Sequence, residues 1–201
     1  MKPKVHFISI FSLIIILEGW LTINLQGQQL IYEGMMKGEK VGEIMAIREV
    51  NDENVKINVK TNLEVHLLFK IDMELSSESM YVNQSLMQAS SVSKVHDHIH
   101  SEVQTIKMNN GYKVNIDGNL KETDRKSLIG TDIFYFEEPV SIDSVYSLAL
   151  GKMLDVVRGE KSNEYYFEND GAKQFHRYQN GILQELEIDH ASYSIVFRLK
   201  K

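Results

Sequence analysis

The chain of 201 residues contains no cysteine. That excludes a disulfide framework, a thiolate nucleophile, a zinc–sulfur site and a lipid-modified N-terminal cysteine. Proline is nearly as scarce, with only Pro3 and Pro139. Such scarcity fits a chain of paired strands, where each proline would remove a ladder donor. Basic residues never cluster: the formal net charge is −6, and "LKETDRKSL" (120–128) mixes both signs as a solvated loop would. Phosphate binding rests on grouped Lys and Arg, so no nucleic acid partner is expected. The sequence has no G-x-S-x-G, H-E-x-x-H, P-loop or G-x-G-x-x-G motif. It also has no heptads, no solenoid-length repeat and no long amphipathic stretch. Its one apolar run, Val5 to Leu17, falls short of the roughly 20 residues a membrane helix needs.

That run nevertheless has a clear form. Lys2 and Lys4 precede it, Glu18 ends it, and "GWLTINLQGQQ" follows. This is the layout of a secretory signal peptide, with Gly27 small enough for the position before a cut. A retained N-terminal anchor would instead need Trp20 to Leu25 as an extension of the run. The expectation is a signal peptide over 1–27 and a single exported antiparallel β domain over 28–201, periplasmic or secreted, with no transmembrane span of its own. Hydrophobic residues at 43% and charged residues at 25% suffice for one buried core.

Period-two alternation dominates the rest. From 55 to 75 the odd positions are mostly apolar (Val55, Ile57, Val59, Leu63, Val65, Ile71, Leu75) and the even ones polar, apart from Leu68. Successive strand residues point to opposite faces, so one face meets a core and the other meets water. The run is long for one strand. It is either one strongly bent strand or two strands meeting at a bulge. Asn110-Gly111, Asp117-Gly118, Asp170-Gly171 and Asn180-Gly181 are dipeptides that favour two-residue hairpin turns, which need positive φ at both centres. "NDEN" (51–54) separates two further strand-like segments. In "IDSVYSLALGKMLDVV" (142–157), Val145, Leu148 and Ala149 have helical spacing, with Asp143 and Gly151 as possible caps. The expected fold is all-β: a curled antiparallel sheet or half-barrel with one short helix at about 143–150.

Two clusters are candidate sites. "KVHDHIH" (94–100) puts His96, His98 and His100 on one face if it is a strand, about 6.6 Å apart. Two adjacent imidazoles could share a zinc, so His96 and His98 are the metal candidates, needing a further ligand such as His66, His176, Glu64 or Glu102. The plainer reading is a solvated polar row, and no metal or cofactor is expected. "IFYFEEP" (133–139) and "EYYFEND" (164–170) each group three aromatics. On strands, Phe134 and Phe136 would share a face, as would Tyr165 and Phe167. With Tyr146 these five are candidates to line an apolar pocket, the alternative being core and cross-strand pairing. Met35, Met36, Met45, Met73, Met80, Met87, Met108 and Met153 could add an adaptable lining. Glu137-Glu138 read as a loop into Pro139, and "NQS" (83–85) matches a glycosylation acceptor only as a three-residue pattern.

Three segments carry a family likeness: "YEGMMKGEKVGE" (32–43), "GTDIFYFEEPVSIDSVYSLALG" (130–151) and "FHRYQNGILQELEI" (175–188). Together they resemble a family of exported bacterial proteins of unknown function, similar in turn to the curled half-barrels of the lipoprotein-carrier type. The resemblance implies export and an all-β fold, and it supplies no catalytic residue. The combined expectation is a non-enzymatic protein that binds a lipid-like or apolar ligand or a cell-envelope partner. The alternatives are an interaction module without a pocket and, further off, a metal-dependent hydrolase built on His96 and His98.

Overall fold

The computed structural model describes residues 26–66, 70–190 and 193–201. The expected signal segment therefore lies almost wholly outside the described residues, as does Leu68. Gln26 and Gly27 are inside: they open the first strand and pair with Val50 and Glu49.

In chain order the strands are β1 (Gln26–Met36), β2 (Glu39–Asn51), β3 (Asn54–His66), β4 (Lys70–Val82), β5 (Ser85–Val95), β6 (His98–Met108), β7 (Gly111–Ile116) and β8 (Asn119–Thr123). After a 3-10 turn at Thr131–Tyr135 come β9 (Ser144–Ser147), β10 (Lys152–Asp155), β11 (Val157–Arg158), β12 (Glu164–Asn169), β13 (Ala172–Gln179), β14 (Ile182–His190) and β15 (Tyr193–Leu199). Thirteen of them form one antiparallel sheet in the order β11-β12-β13-β14-β15-β1-β2-β3-β4-β5-β6-β7-β8, and β9 pairs with β10 apart from it. The two halves of the chain meet where β1 pairs β15, with Tyr32 opposite Leu199. The sheet is open: β8 and β11 end it without pairing each other. Four register shifts, at Gly34/Met35, Met80/Tyr81, Ser93/Lys94 and Arg177/Tyr178, add the local bends that curl it.

The alternation over 55–75 resolves into two strands. Val65 pairs Ile71 and His66 pairs Lys70, so β3 and β4 are a hairpin. Their odd residues share one face, because the ladder pairs odd residues with odd residues, as in Leu63 with Met73. Ile57, Val59 and Val65 are buried there, and Tyr81 is 1% exposed. Turns at Lys37-Gly38, Asp117-Gly118, Asp170-Gly171 and Asn180-Gly181 have positive φ at both centres. Asn110-Gly111 does not form its turn: Met108 pairs Gly111, so Asn109 and Asn110 are the centres.

The expected helix over 143–150 is absent. Ser144–Ser147 is strand β9, returning as β10 with Val145 opposite Leu154. Tyr146 also bridges Gly130, and its backbone N–H donates to the Ile129 carbonyl at 2.8 Å. Val145 and Tyr146 are adjacent yet both buried, at 0% and 3% exposure, which a strand between two layers satisfies and a surface helix does not. The helical spacing of Leu148 and Ala149 is that of the turn closing the hairpin. Among the described residues the one helical turn lies instead at Thr131–Tyr135, overlapping the start of "IFYFEEP", where a strand was expected. The coil breaks the expected sharing of a face. Phe134 stacks on Phe167 at 5.8 Å, Tyr135 meets Tyr32 at 5.6 Å, and Phe136 lies under the Arg48 guanidinium at 4.9 Å.

Residues 124–156 thus form a plug across the concave face. Leu128, Phe136, Tyr146 and Leu148 are buried with Tyr32, Leu86, Tyr112, Leu183 and Phe197 of the sheet, and Phe134 and Val145 are buried with Phe167 in a second, smaller cluster. Tyrosine hydroxyls tether the plug to the sheet. Tyr178 donates to the Phe134 carbonyl at 2.9 Å, and the Leu128 N–H donates to the Tyr112 hydroxyl at 3.1 Å. Each such bond satisfies a buried polar atom whose loss costs about 1–3 kcal/mol.

Candidate ligand cavity

Between the plug and the sheet lies a cavity of about 250 Å³. One wall is the concave face of β3–β5, through Val59, Thr61, Leu75, Ser77 and Ser91. The opposite wall comes from β12–β14, through Phe167, Asn169, Gln174, His176 and Leu186. The plug closes the space with Asp132, Tyr135 and the turn Ser147–Leu150. Exposed Gln174 and Leu150, the latter 36% exposed, mark its rim. Among the described residues no Lys or Arg lines it.

Asp132 is 3% exposed. The Ser79 hydroxyl donates to its Oδ2, and the Tyr81 hydroxyl donates to its Oδ1 at 2.5 Å. Backbone N–H groups of Asp132 and Ile133 add to this cradle. Burial pushes the carboxyl above the usual carboxylate range, and these hydrogen bonds draw it part of the way back. The Tyr81 hydroxyl is held well above its ordinary value, by burial first and by the neighbouring Asp132 charge second. Gly130 makes the arrangement possible. A Cβ there would sit 2.3 Å from the Tyr81 hydroxyl and 2.6 Å from Asp132 Oδ1.

His176 is 5% exposed, and neither ring nitrogen has a hydrogen-bond partner among the described residues. Its ring meets Phe167 edge-on at 4.6 Å and lies 6.5 Å from Tyr178. Burial alone lowers its pKa to about 3, so the imidazole is neutral, with one donor and one acceptor. Asn169 gives its amide N–H to Asp170 at 3.0 Å, while its buried Oδ1 accepts nothing. Among the described residues four buried side-chain atoms lack a partner, and three of them belong to His176 and Asn169. The nearest strong cation in sequence, Arg177, takes the other face of β13, bound by Glu164 at 2.6 Å, Glu187 at 2.8 Å and Glu185.

The aromatic candidates divide. Phe167 lines the cavity and Phe134 stacks behind it. Tyr146 is 3% exposed and bonds the Thr105 hydroxyl at 2.7 Å. Tyr165 bonds Glu138 at 3.0 Å, Phe136 lies in the core, and neither Tyr146, Tyr165 nor Phe136 touches the cavity. The histidine row is broken. His96 and Asp97 are the centres of the β5–β6 turn, with φ of 50° and 63°, and only His98 and His100 begin β6, exposed. A turn reverses the chain between His96 and His98, so they do not share a strand face. His96 Nδ1 lies 3.8 Å from Asp72, and His66 lies 3.2 Å from Glu64. Among the described residues no group of three or more His, Asp or Glu side chains is placed to hold a metal ion. His66, Asp72 and Asp97 border a larger open cleft of about 820 Å³, whose Glu64 and Glu74 are paired with Lys70 at 2.9 Å and Lys60 at 3.1 Å. Exposed ion pairs of this kind contribute about 0–1 kcal/mol each. The stronger signal for a ligand is the partly open cavity with unpaired atoms between the plug and the sheet.

Sequence reasoning names His176 only as a spare metal ligand and passes over Asp132 and Asn169. One signal could have found His176: it sits on the inward parity of β13 with Tyr178, where a polar residue needs a reason.

A model of the family described as "Domain of unknown function (DUF6134)" matches residues 32–200. No curated protein matches the sequence. In fold the chain is similar to a crystal structure of a beta-barrel-like protein of domain of unknown function DUF1849 from Brucella abortus. The TM-score is 0.62 at 10% identity, covering 89% of this chain and 98% of that one. At that identity the likeness shows fold alone. Among the described residues no helix is long and apolar enough to cross a membrane.

Proposed function

The chain belongs to the DUF6134 family, an all-β family of unknown function as the resemblance implied, and from that premise we propose that it is a non-enzymatic binding protein. Its ligand sits in the cavity between the plug and the curled sheet. The observation that carries this reading is three buried polar atoms left unpaired among the described residues on the cavity wall, both ring nitrogens of buried His176 and the Oδ1 of half-buried Asn169. An unpaired buried polar atom costs about 1–3 kcal/mol, and a ligand that pairs it recovers that cost on binding. Small-molecule sites are concave, mostly apolar and carry a few convergent polar groups, usually with volumes of roughly 300–1,000 Å³. This cavity lies just below that range, which favours a ligand smaller than a drug-sized molecule and argues against a whole lipid.

Export remains part of the proposal, resting on the Lys2–Leu17 segment. Native mass spectrometry of protein purified without delipidation tests the binding reading. A bound small mass that saturation with a competitor displaces is the expected result. Protein that arrives bare in repeated preparations, and stays bare when small molecules are added, contradicts it. A second reading, an envelope-partner module, is favoured by the open sheet, whose edge strands β8 and β11 leave ladder groups for strand addition. Pull-down from envelope extract, with and without a proline in β8, separates it from the first.

A further inference from the structure

Resting on the binding reading above, we infer that the ligand is an uncharged small amphiphile with an apolar body and a hydroxyl or amide N–H donor. Size comes from the cavity, whose 250 Å³ equals about eight waters of liquid volume. The apolar body follows from Leu75, Leu148, Leu154, Leu186 and Phe167, which line the cavity with apolar surface. Charge is decided by what is missing and what is taken. Among the described residues no Lys or Arg lines the cavity to receive an anion. The one carboxyl among the described lining residues, Asp132, already accepts from Ser79 and Tyr81, so a cation gains little there. Uncharged polarity is decided by the unpaired atoms. Asn169 Oδ1 is an acceptor, and neutral His176 presents one acceptor and one donor. Two acceptors against one donor call for a ligand that donates. A hydrocarbon of the same size would leave all three unmet, and a carboxylate would set a negative charge before Asn169 Oδ1 with no counter-ion.

Four probes of one shape separate these classes: benzyl alcohol, toluene, benzoate and benzylamine. Each is titrated into the full-length protein by calorimetry and by NMR, following the His176 ring and the Asn169 side-chain amide. Benzyl alcohol is expected to bind at one site and shift both resonances, with toluene about tenfold weaker because it pairs neither residue. In His176→Leu that preference for the alcohol is expected to fall to about threefold or less. If His176→Leu does not fold, Asn169→Leu carries the same comparison, and the wild-type ranking stands without either. Toluene binding as tightly as benzyl alcohol, or benzoate or benzylamine binding best, overturns this inference and leaves the binding cavity intact. Failure of all four, with unchanged His176 resonances, means a cavity that takes only water and overturns the binding reading with it.

Discussion

Asp132 and His176 line one cavity and are almost equally hidden, at 3% and 5% exposure. Asp132 is saturated by two hydroxyls and backbone N–H groups. His176 has aromatic neighbours and no hydrogen bond among the described residues. A buried polar group that is fully paired specifies structure, because removing it strands its partners. A buried polar group left unpaired weakens the fold and has to be accounted for otherwise. The plug side of the cavity is therefore architecture, and the β12–β13 side is where the protein has left chemistry unspent.

The contrast can be broken by substitution. The largest effect is expected at Asp132. Asp132→Ala strands the Ser79 and Tyr81 hydroxyls and should destabilise the fold by about 3 kcal/mol, while Asp132→Asn, which keeps an acceptor, should cost about 1 kcal/mol. Urea unfolding measures both, and equal costs would deny Asp132 its bonding role.

Acidity gives the next effect, and its sign differs between the two residues. The folded-state pKa of His176, about 3, lies below the ordinary 6.5, so the unfolded chain binds the proton more readily. The stability tied to His176 is whole above pH 6.5 and drains away as pH falls toward 3. At pH 5 the loss is about 2 kcal/mol. Asp132 runs the other way: its raised pKa contributes stability below the ordinary carboxylate range that is lost as pH rises through its folded value. The difference in unfolding free energy between wild type and His176→Leu, followed from pH 8 to pH 5, isolates the His176 part. A pH-independent difference would mean that the imidazole titrates freely in the folded protein.

A smaller effect sets the scale away from the cavity. Gln84 sits at φ 63° in the β4–β5 turn, a left-handed conformation that glycine adopts without strain. Gln84→Gly should stabilise by about 0.5 kcal/mol, the relief of strain being offset by the added freedom of the unfolded chain. Thermal unfolding checks it, and a loss of stability would show that the side chain matters there.

Much of the sheet was legible because its signals are local. The odd residues of β3 declare their face by alternation, and Asp117-Gly118, Asp170-Gly171 and Asn180-Gly181 declare their turns. Where glycine is missing the signal fails. Asn83-Gln84 and His96-Asp97 both take positive φ with no glycine, and the second made a hairpin turn look like a histidine-bearing strand. The plug was misread for a related reason. Val145, Leu148 and Ala149 mimic helical spacing, and only the pairing of Val145 with Leu154 and of Tyr146 with Gly130 shows a strand that ends at Ser147, with Leu148 and Ala149 in the turn after it. The cavity was least legible. Its walls join Ser77 and Ser91 to Asn169 and His176 across about half of the chain, and no local pattern encodes that meeting.

The most direct check is a four-way unfolding experiment at pH 8: wild type and His176→Leu, each with and without saturating benzyl alcohol. Without the alcohol, His176→Leu should be the more stable by about 1 kcal/mol, because an unpaired buried group has been replaced by an apolar one. With the alcohol, wild type should gain more and overtake it. A variant less stable than wild type in the absence of alcohol, with equal gains on adding it, would contradict the claim that the cavity wall is held open for a ligand.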